Sequence, residues 1–256
     1  MKQKLLGMML LSVFSLFPIQ KAQATGPSDL EPRGIFTVVI DPGHGGIDSG
    51  AVNEWLGIFE KDLNLEVARA AHARLLELGV HAVMTREGDD YMEIVERTDL
   101  AKSIHADLLV SIHHDTDQDW GDGAHLIHSI HEGPSLNLAE EIGAAIVSQT
   151  GQELRSFSPY WFQSGMFEGE KDDYYGILRR STMPAVIVEA AYLNAHNIQA
   201  VDTPEKRALM GRAIADGIYA AIRRDFTGIV TYKGIETHYD PKTNTRLVEV
   251  EAVMGN

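Results

Sequence analysis

The chain has 256 residues, 44% of them hydrophobic, with a formal charge of −15 and no cysteine. That length allows one large domain or two small ones with a substantial core, and the acidic balance argues against a nucleic-acid or anionic-membrane ligand. With no cysteine there are no disulfide staples, so the core must hold the fold unaided.

Met1-Lys2-Gln3-Lys4 is a basic start, and residues 5–19 form an apolar run interrupted only by Gly7, Ser12, Ser15 and Pro18. Ala22-Gln23-Ala24 then offers a small-x-small cleavage site, so residues 1–24 read as a secretory signal peptide with a mature chain from near Thr25. The run is short for a membrane span, and no cysteine follows for lipid attachment. The expectation is an exported protein, periplasmic or secreted, with no stable membrane anchor after cleavage. Losing Lys2, Lys4 and Lys21 takes the charge from −15 to −18. Residues 25–34 read as a flexible leader.

The first strong element is Val38-Val39-Ile40, a β-branched run that enters the turn Asp41-Pro42-Gly43-His44-Gly45-Gly46. An apolar run stopped by a turn reads as a buried parallel strand. Loops at the carboxyl ends of such strands are where ligands and catalytic groups collect. The glycines match neither a dinucleotide fingerprint nor a P-loop, so alone His44 is either a solvated loop residue or part of a site. A helix is predicted over 62–78 with Gly79 behind it, a short strand over 80–85, a polar loop over 87–90 and a helix over about 93–105. Leu108-Leu109-Val110-Ser111-Ile112-His113 is a second buried strand, again ending in histidine. A strand over 124–130 and a helix over 136–150 follow, closed by Gly151.

Residues 152–176 show no clear period and mix aromatic with acidic side chains; loops of that length are often functional. Pro184-Ala185-Val186-Ile187-Val188-Glu189 is another buried strand, ending in a carboxylate. Pro204 then opens a helix over about 205–224. In the tail, 232–239 and 245–253 have the pattern of a hairpin across Asp240-Pro241-Lys242-Thr243-Asn244. Strands alternating with helices predict an α/β fold: a single three-layer domain, a twisted, mostly parallel sheet with helices on both faces. The expected domain map is a signal peptide over 1–24, a leader over 25–34, a catalytic domain over 35–226 and a tail over 227–256.

Parallel strands bring their carboxyl ends to one sheet edge, so His44, His113 and Glu189 converge there, with Glu60 at the threshold of the first helix. Two imidazoles and one carboxylate make a three-ligand zinc site with an open fourth position, and a further carboxylate can move the proton. Each residue also has a plainer reading. Glu60 suits the helix dipole, and adjacent His113 and His114 face opposite ways on a strand, so at most one enters the site. Asp41 and Asp48 either orient imidazoles or cap the loop. The other histidines show no ligand spacing and read as structural or surface.

In these motifs the chain resembles the zinc-dependent N-acetylmuramoyl-L-alanine amidases, the amidase-3 class of peptidoglycan hydrolases. The match runs through VVIDPGHGGIDSGA (38–51), EKDLNL (60–65), Arg97, ADLLVSIH (106–113) and MPAVIVE (183–189), in the family's order. The resemblance implies Zn2+ held by His44, Glu60 and His113, Glu189 as the catalytic carboxylate, and cleavage between N-acetylmuramic acid and the L-alanine of the stem peptide. His114 stands where the family commonly has a small residue and is not carried over. Two departures stand out. The family's glycine and aromatic after the glutamate become Ala190-Ala191-Tyr192, and its asparagine becomes Ala195 beside Asn194. Some relatives carry an inserted helix after the second histidine that plugs the site. The short stretch between His114 and the helix near Leu136 has no room for one, so no activator protein is expected. The segment 152–176 then reads as a substrate-facing loop, against a cover for the sheet edge or a Glu168 or Glu170 inhibitor. The second enzyme reading is a zinc peptidase cutting within the stem. The reading from another class is a wall-binding or regulatory protein that keeps the fold without catalysis.

Overall fold

The computed structural model describes residues 36–116, 123–131, 133–159, 161–163, 171–194, 197–225, 236–240 and 245–249, with backbone alone over 155–159, 161–163, at 171, and over 236–240 and 245–249. Its central sheet has six strands: β1 (Thr37–Pro42), β4 (His81–Met84), β5 (Leu108–Asp115), β6 (Ala124–His128), β7 (Leu154–Pro159) and β10 (Ala185–Tyr192), in the spatial order β4-β1-β5-β10-β6-β7. The first four are mutually parallel, β6 runs antiparallel to β10, and β7 is parallel to β6. The sheet is therefore mixed, although most of its pairings are the predicted parallel ones. The connection from β5 to β6 is too short for the dozen or more residues that a parallel crossover needs, so β6 turns back.

Both sheet faces are covered, which is why strands such as β1 are buried at every residue. Helices α1 (Glu60–Glu77), α3 (Pro134–Thr150) and α5 (Pro204–Asp225) share the larger core with Val38, Ile40, Val110, Ile112 and Val188. On the other face α2 (Ile94–Ser103) and α4 (Gly176–Arg180) enclose Val39, Leu109 and Ile187. The alternation that separates Val38 and Ile40 from Val39 is the strand's period of two.

Three differences from the sequence reading bear on the site. Helix α1 begins at Glu60, not at residue 62, because Ala51 and Ser49 carbonyls accept the Glu60 and Lys61 amides in its first turn. Strand β10 continues past Glu189 to Tyr192 and is buried throughout. The stretch over 152–176 contains β7 at the sheet edge and a small antiparallel pair, β8 (Trp161–Gln163) with β9 (Lys171–Asp173). An edge strand pairs on one side only and does not need the apolar run that reveals a buried strand. A two-stranded pair, β2 (Val52–Asn53) with β3 (Ile58–Phe59), leads into α1. The tail pairs as predicted, β11 (Glu236–Asp240) antiparallel to β12 (Thr245–Glu249).

Helix α5 lies close on both of its neighbours. A Cβ on Gly217 would sit 2.4 Å from the Ile142 Cα in α3, and one on Gly211 would sit 2.4 Å from the Val67 carbonyl in α1. Alanine is favoured over glycine in a helix by about 1 kcal/mol, yet here the backbone of α3 blocks it. Gly217→Ala is expected to lower stability by about 1–3 kcal/mol, read as a lower urea midpoint at constant slope. A raised midpoint would show that the helices part without cost.

Candidate metal centre and active site

The site grows from the carboxyl end of β1. Asp41 is buried there and accepts three donors: Thr85 Oγ1 at 2.6 Å, Ser111 Oγ at 2.6 Å and Arg97 Nη1 at 2.7 Å. Burial alone would raise its pKa, but the Arg97 charge and these hydrogen bonds hold it below the usual carboxylate value. Arg97 continues into the loop, donating from Nη1 to the Pro42 carbonyl and from Nη2 to the His44 carbonyl, both at 2.8 Å. Arg86 supports the same loop, with Nε 2.9 Å from the Pro42 carbonyl and Nη2 2.9 Å from that of Gly43. The two guanidiniums hold His44 at φ 61°, a left-handed conformation that a side-chain-bearing residue rarely adopts. The hydrogen bonds of Asp41 thus run to Thr85, Ser111 and Arg97 and not to an imidazole among the described residues; it anchors the arginine that shapes the loop. Asp48 does both jobs considered for it, bonding His44 Nδ1 at 2.8 Å and accepting the Gly50 amide.

With Nδ1 taken by Asp48, His44 presents Nε2 to Glu60 Oε2 at 3.2 Å. His113, at the end of β5, presents Nδ1 to Glu60 Oε1 at 2.9 Å. The two rings meet edge to face with centroids 4.9 Å apart. Gly43 makes this approach possible, since a Cβ there would lie 2.1 Å from the His113 ring. Glu60 is itself fixed by the amides of Ala51 at 2.8 Å and His114 at 3.1 Å. One ligand atom from each of His44, Glu60 and His113 lies within 4.8 Å of the others. Burial opposes a proton on His44, but the Glu60 hydrogen bond and charge, with Asp48, raise its pKa to about 9. With Glu60 set between two imidazoles, the cluster's nitrogen and oxygen donors suit a divalent cation of the zinc type. The residues present fit a metal.

His114 points to the other side of β5, as strand alternation requires. It is fully buried, and its Nδ1 donates to Asn64 Oδ1 at 2.7 Å. The Asn64 amide nitrogen in turn donates to the Gly43 carbonyl at 3.1 Å and to Glu60 Oε1 at 3.3 Å. Asn64 and Arg86 were missed in the sequence. The signal for Asn64 was its position four residues after Glu60, which puts both on one helix face. Glu189 on β10, in register with His113 on β5 and with His125 on β6, is 9% exposed, and its Oε2 has no hydrogen-bond partner among the described residues. Burial, and then the charges of Glu60 and Asp115, push its pKa well above the usual value. His125, read from the sequence as structural or surface, is buried, which fits the structural reading, and lies in register with Glu189.

The profile of the family described as Amidase_3, N-acetylmuramoyl-L-alanine amidase, matches residues 38–220. The chain belongs to the Amidase_3 family. It is 30% identical over 191 residues to N-acetylmuramoyl-L-alanine amidase LytC of Bacillus subtilis, an alignment covering 73% of this chain and 36% of LytC. The chain thus matches only about a third of that relative's length. The solved structure of the amidase AmiC2 of Nostoc punctiforme is 30% identical with a TM-score of 0.65, covering 75% of this chain and 99% of that one. The CwlD amidase of Clostridioides difficile, solved in complex with the GerS lipoprotein, is 22% identical with a TM-score of 0.63, covering 74% and 100%. Nothing in these comparisons supports the expectation of an activator-free enzyme.

In this Amidase_3 chain a cleft of about 460 Å³ opens over the metal centre, with His44, Glu60, His113 and Glu189 in its lining. Met92 and Ile94 line it beside α2, and Tyr175, Gly176 and Ile177 bring the end of the 152–176 segment into it. Glu168 and Glu170, considered as inhibitory ligands, lie outside the described residues, as do residues 1–24, read from the sequence as a signal peptide, and Ala195. Asn194 Oδ1 accepts the Asn197 amide at 2.7 Å, and Asn197 Oδ1 accepts the Tyr192 amide at 2.6 Å, which shapes the chain after Glu189.

Burial lowers the His114 pKa from 6.5 to about 4, despite the opposing Glu60 charge. Between those pH values the unfolded chain binds a proton that the folded chain excludes, so stability falls as pH drops through this window. In metal-free protein His114→Asn should make the acid limb of the urea-midpoint curve shallower, by about 3 kcal/mol across it. An unchanged limb would mean that the buried imidazole accepts its proton freely.

Proposed function

We propose that this chain is an exported, zinc-dependent N-acetylmuramoyl-L-alanine amidase that hydrolyses the amide between the lactyl group of muramic acid and L-alanine in peptidoglycan. The observation that carries the reading is the meeting of His44, Glu60 and His113 with the buried Glu189 in one cleft, in a chain of this family. Residues 1–24 would be removed on export and 25–34 would form a leader; residues 35–226 would be the catalytic domain and 227–256 a tail. Among the described residues no helix is long and apolar enough to cross a membrane. The cell-wall relatives add support for export.

His44 through Nε2, His113 through Nδ1 and Glu60 would hold the zinc, with Asp48 and the Asn64–His114 pair keeping donors in place. Zinc, when bound, lowers the pKa of a coordinated water and polarises a carbonyl oxygen. Glu189 is the proton carrier. Its buried carboxyl takes the proton of the attacking water and delivers it to the alanine nitrogen as the C–N bond breaks. A carboxyl whose pKa is raised towards the working pH serves in both directions. Ile94, Tyr175 and Ile177 would shield this exchange from bulk water.

Purified peptidoglycan digested by the zinc-loaded protein should release intact stem peptides beginning with L-alanine, identified by mass spectrometry. Fragments cut within the stem would make it a zinc peptidase, and binding without products a wall-binding protein. Glu189→Gln should lower turnover by about 10²–10⁴ with zinc content unchanged, whereas His44→Ala or His113→Ala should lose zinc and His114→Ala should keep it. Full activity after chelation would overturn the metal assignment.

A further inference from the structure

Among the described residues, the large apolar side chains left exposed are concentrated in two segments that border the cleft, 47–59 and 91–95. Elsewhere only Leu76, Val147, Tyr174 and Leu209 are comparable. Single exposed apolar residues need no explanation, but a concentration beside a site marks a contact surface. Its extreme member is Trp55, 99% exposed at the tip of the β2–β3 hairpin, with Leu56 56% exposed beside it.

The hairpin is tied to the metal centre at its base. Ala51 lines the cleft, its amide donates to Glu60 Oε2 at 2.8 Å, and its carbonyl accepts the Glu60 amide at 2.8 Å. Asn53 Nδ2 donates to the Leu193 carbonyl at 2.9 Å, tying the same arm to the chain that leaves Glu189. Asn53 Oδ1 also accepts the Leu56 amide at 3.1 Å, which sets the turn. Trp55 is four residues from Ala51, at most about 14 Å along an extended chain. An indole is thus presented to solvent from a fixed base at the edge of the reaction cleft.

We propose that this hairpin tip binds the glycan strand of the substrate, with the Trp55 ring against the C–H face of a pyranose and Glu54 accepting from sugar hydroxyls. The inference rests on the amidase reading, in which the sugar chain leaves the reacting carbonyl on one side and the stem peptide on the other. Charge selects between them. Once its lactyl carboxyl is tied up in the amide, the sugar chain is neutral and rich in hydroxyls. The stem peptide carries carboxylates. Glu54 is the only charged residue of the hairpin, on a chain of net charge −15, so an anionic ligand is opposed and a neutral hydroxylated one is accepted. Tryptophan supplies large rigid contact area at low entropic cost.

The test is calorimetric titration of the zinc-loaded protein with neutral strands of β-1,4-linked N-acetylglucosamine, which keep the sugar backbone without free lactyl carboxylates, and separately with released stem peptide. Trp55→Ala should weaken strand binding by about tenfold, Trp55→Phe by about threefold or less, and neither should alter stem-peptide binding. Because the side chain is solvent-exposed, zinc content and melting temperature should match the unsubstituted protein, which separates lost contact from lost fold. Equal strand binding by Trp55→Ala, no strand binding by the unsubstituted protein, or a loss confined to stem peptide would overturn the proposal. A protein that binds strands through Trp55 yet releases no stem peptides would keep this inference and refute the amidase reading. Release of stem peptides with strand binding insensitive to Trp55 would do the reverse.

Discussion

The ion pair between Asp41 and Arg97 is the constraint on which the site's geometry depends. Both side chains are almost wholly buried, with a 2.7 Å contact, so neither can be removed without leaving a charge in a medium that solvates it poorly; breaking such a pair costs about 3–5 kcal/mol. Its use here is directional. Arg97 also donates from its Nη atoms to the Pro42 and His44 carbonyls and from Nε to that of Met92, so the pair converts the end of a strand into a loop of set shape. Asp41 also takes hydroxyls from β5 and from the residue after β4, which registers three neighbouring strands on one carboxylate.

Glu60 has a comparable place at the start of α1. A glutamate in a helix's first turn is ordinary, but this one is gripped by the Ala51 and His114 amides and flanked by two imidazoles. The hairpin, the helix and β5 therefore meet on a single side chain. That arrangement joins a rim displayed to solvent with a centre that attracts a cation. It also gives fully buried His114, which faces away from the cleft, a hold on the site through Asn64.

The sheet and helix order was largely legible because buried strands and amphipathic helices leave periodic patterns. Where burial is one-sided the pattern fades: β7, β8 and β9 lie in a stretch that reads from the sequence as a long loop with no clear period. The antiparallel turn of β6 was not read either, although the shortness of its connection to β5 is visible in the chain. Arg86 was missed because its partners are backbone carbonyls many residues away, which leave no local signature, whereas Asn64 carried only its helical spacing from Glu60, and its bonds to Gly43 and His114 exist only in the folded chain.

The sequence by itself determined the alternation of strands and helices, the acidic character, and the presence of His44, Glu60, His113 and Glu189, whose side-chain types can bind a metal or carry a proton. These properties reside in residue type and spacing along the chain. The tertiary structure alone decided that Asp48 orients His44 while Asp41 does not, and that Glu60 opens α1 and meets both imidazoles. It also decided that Glu189 lies buried with an oxygen that has no hydrogen-bond partner among the described residues, and that Trp55 stands in solvent beside the cleft. Those outcomes depend on distance, burial and hydrogen-bond direction between residues remote in the chain, which exist only after the strands have paired and the helices have closed over them.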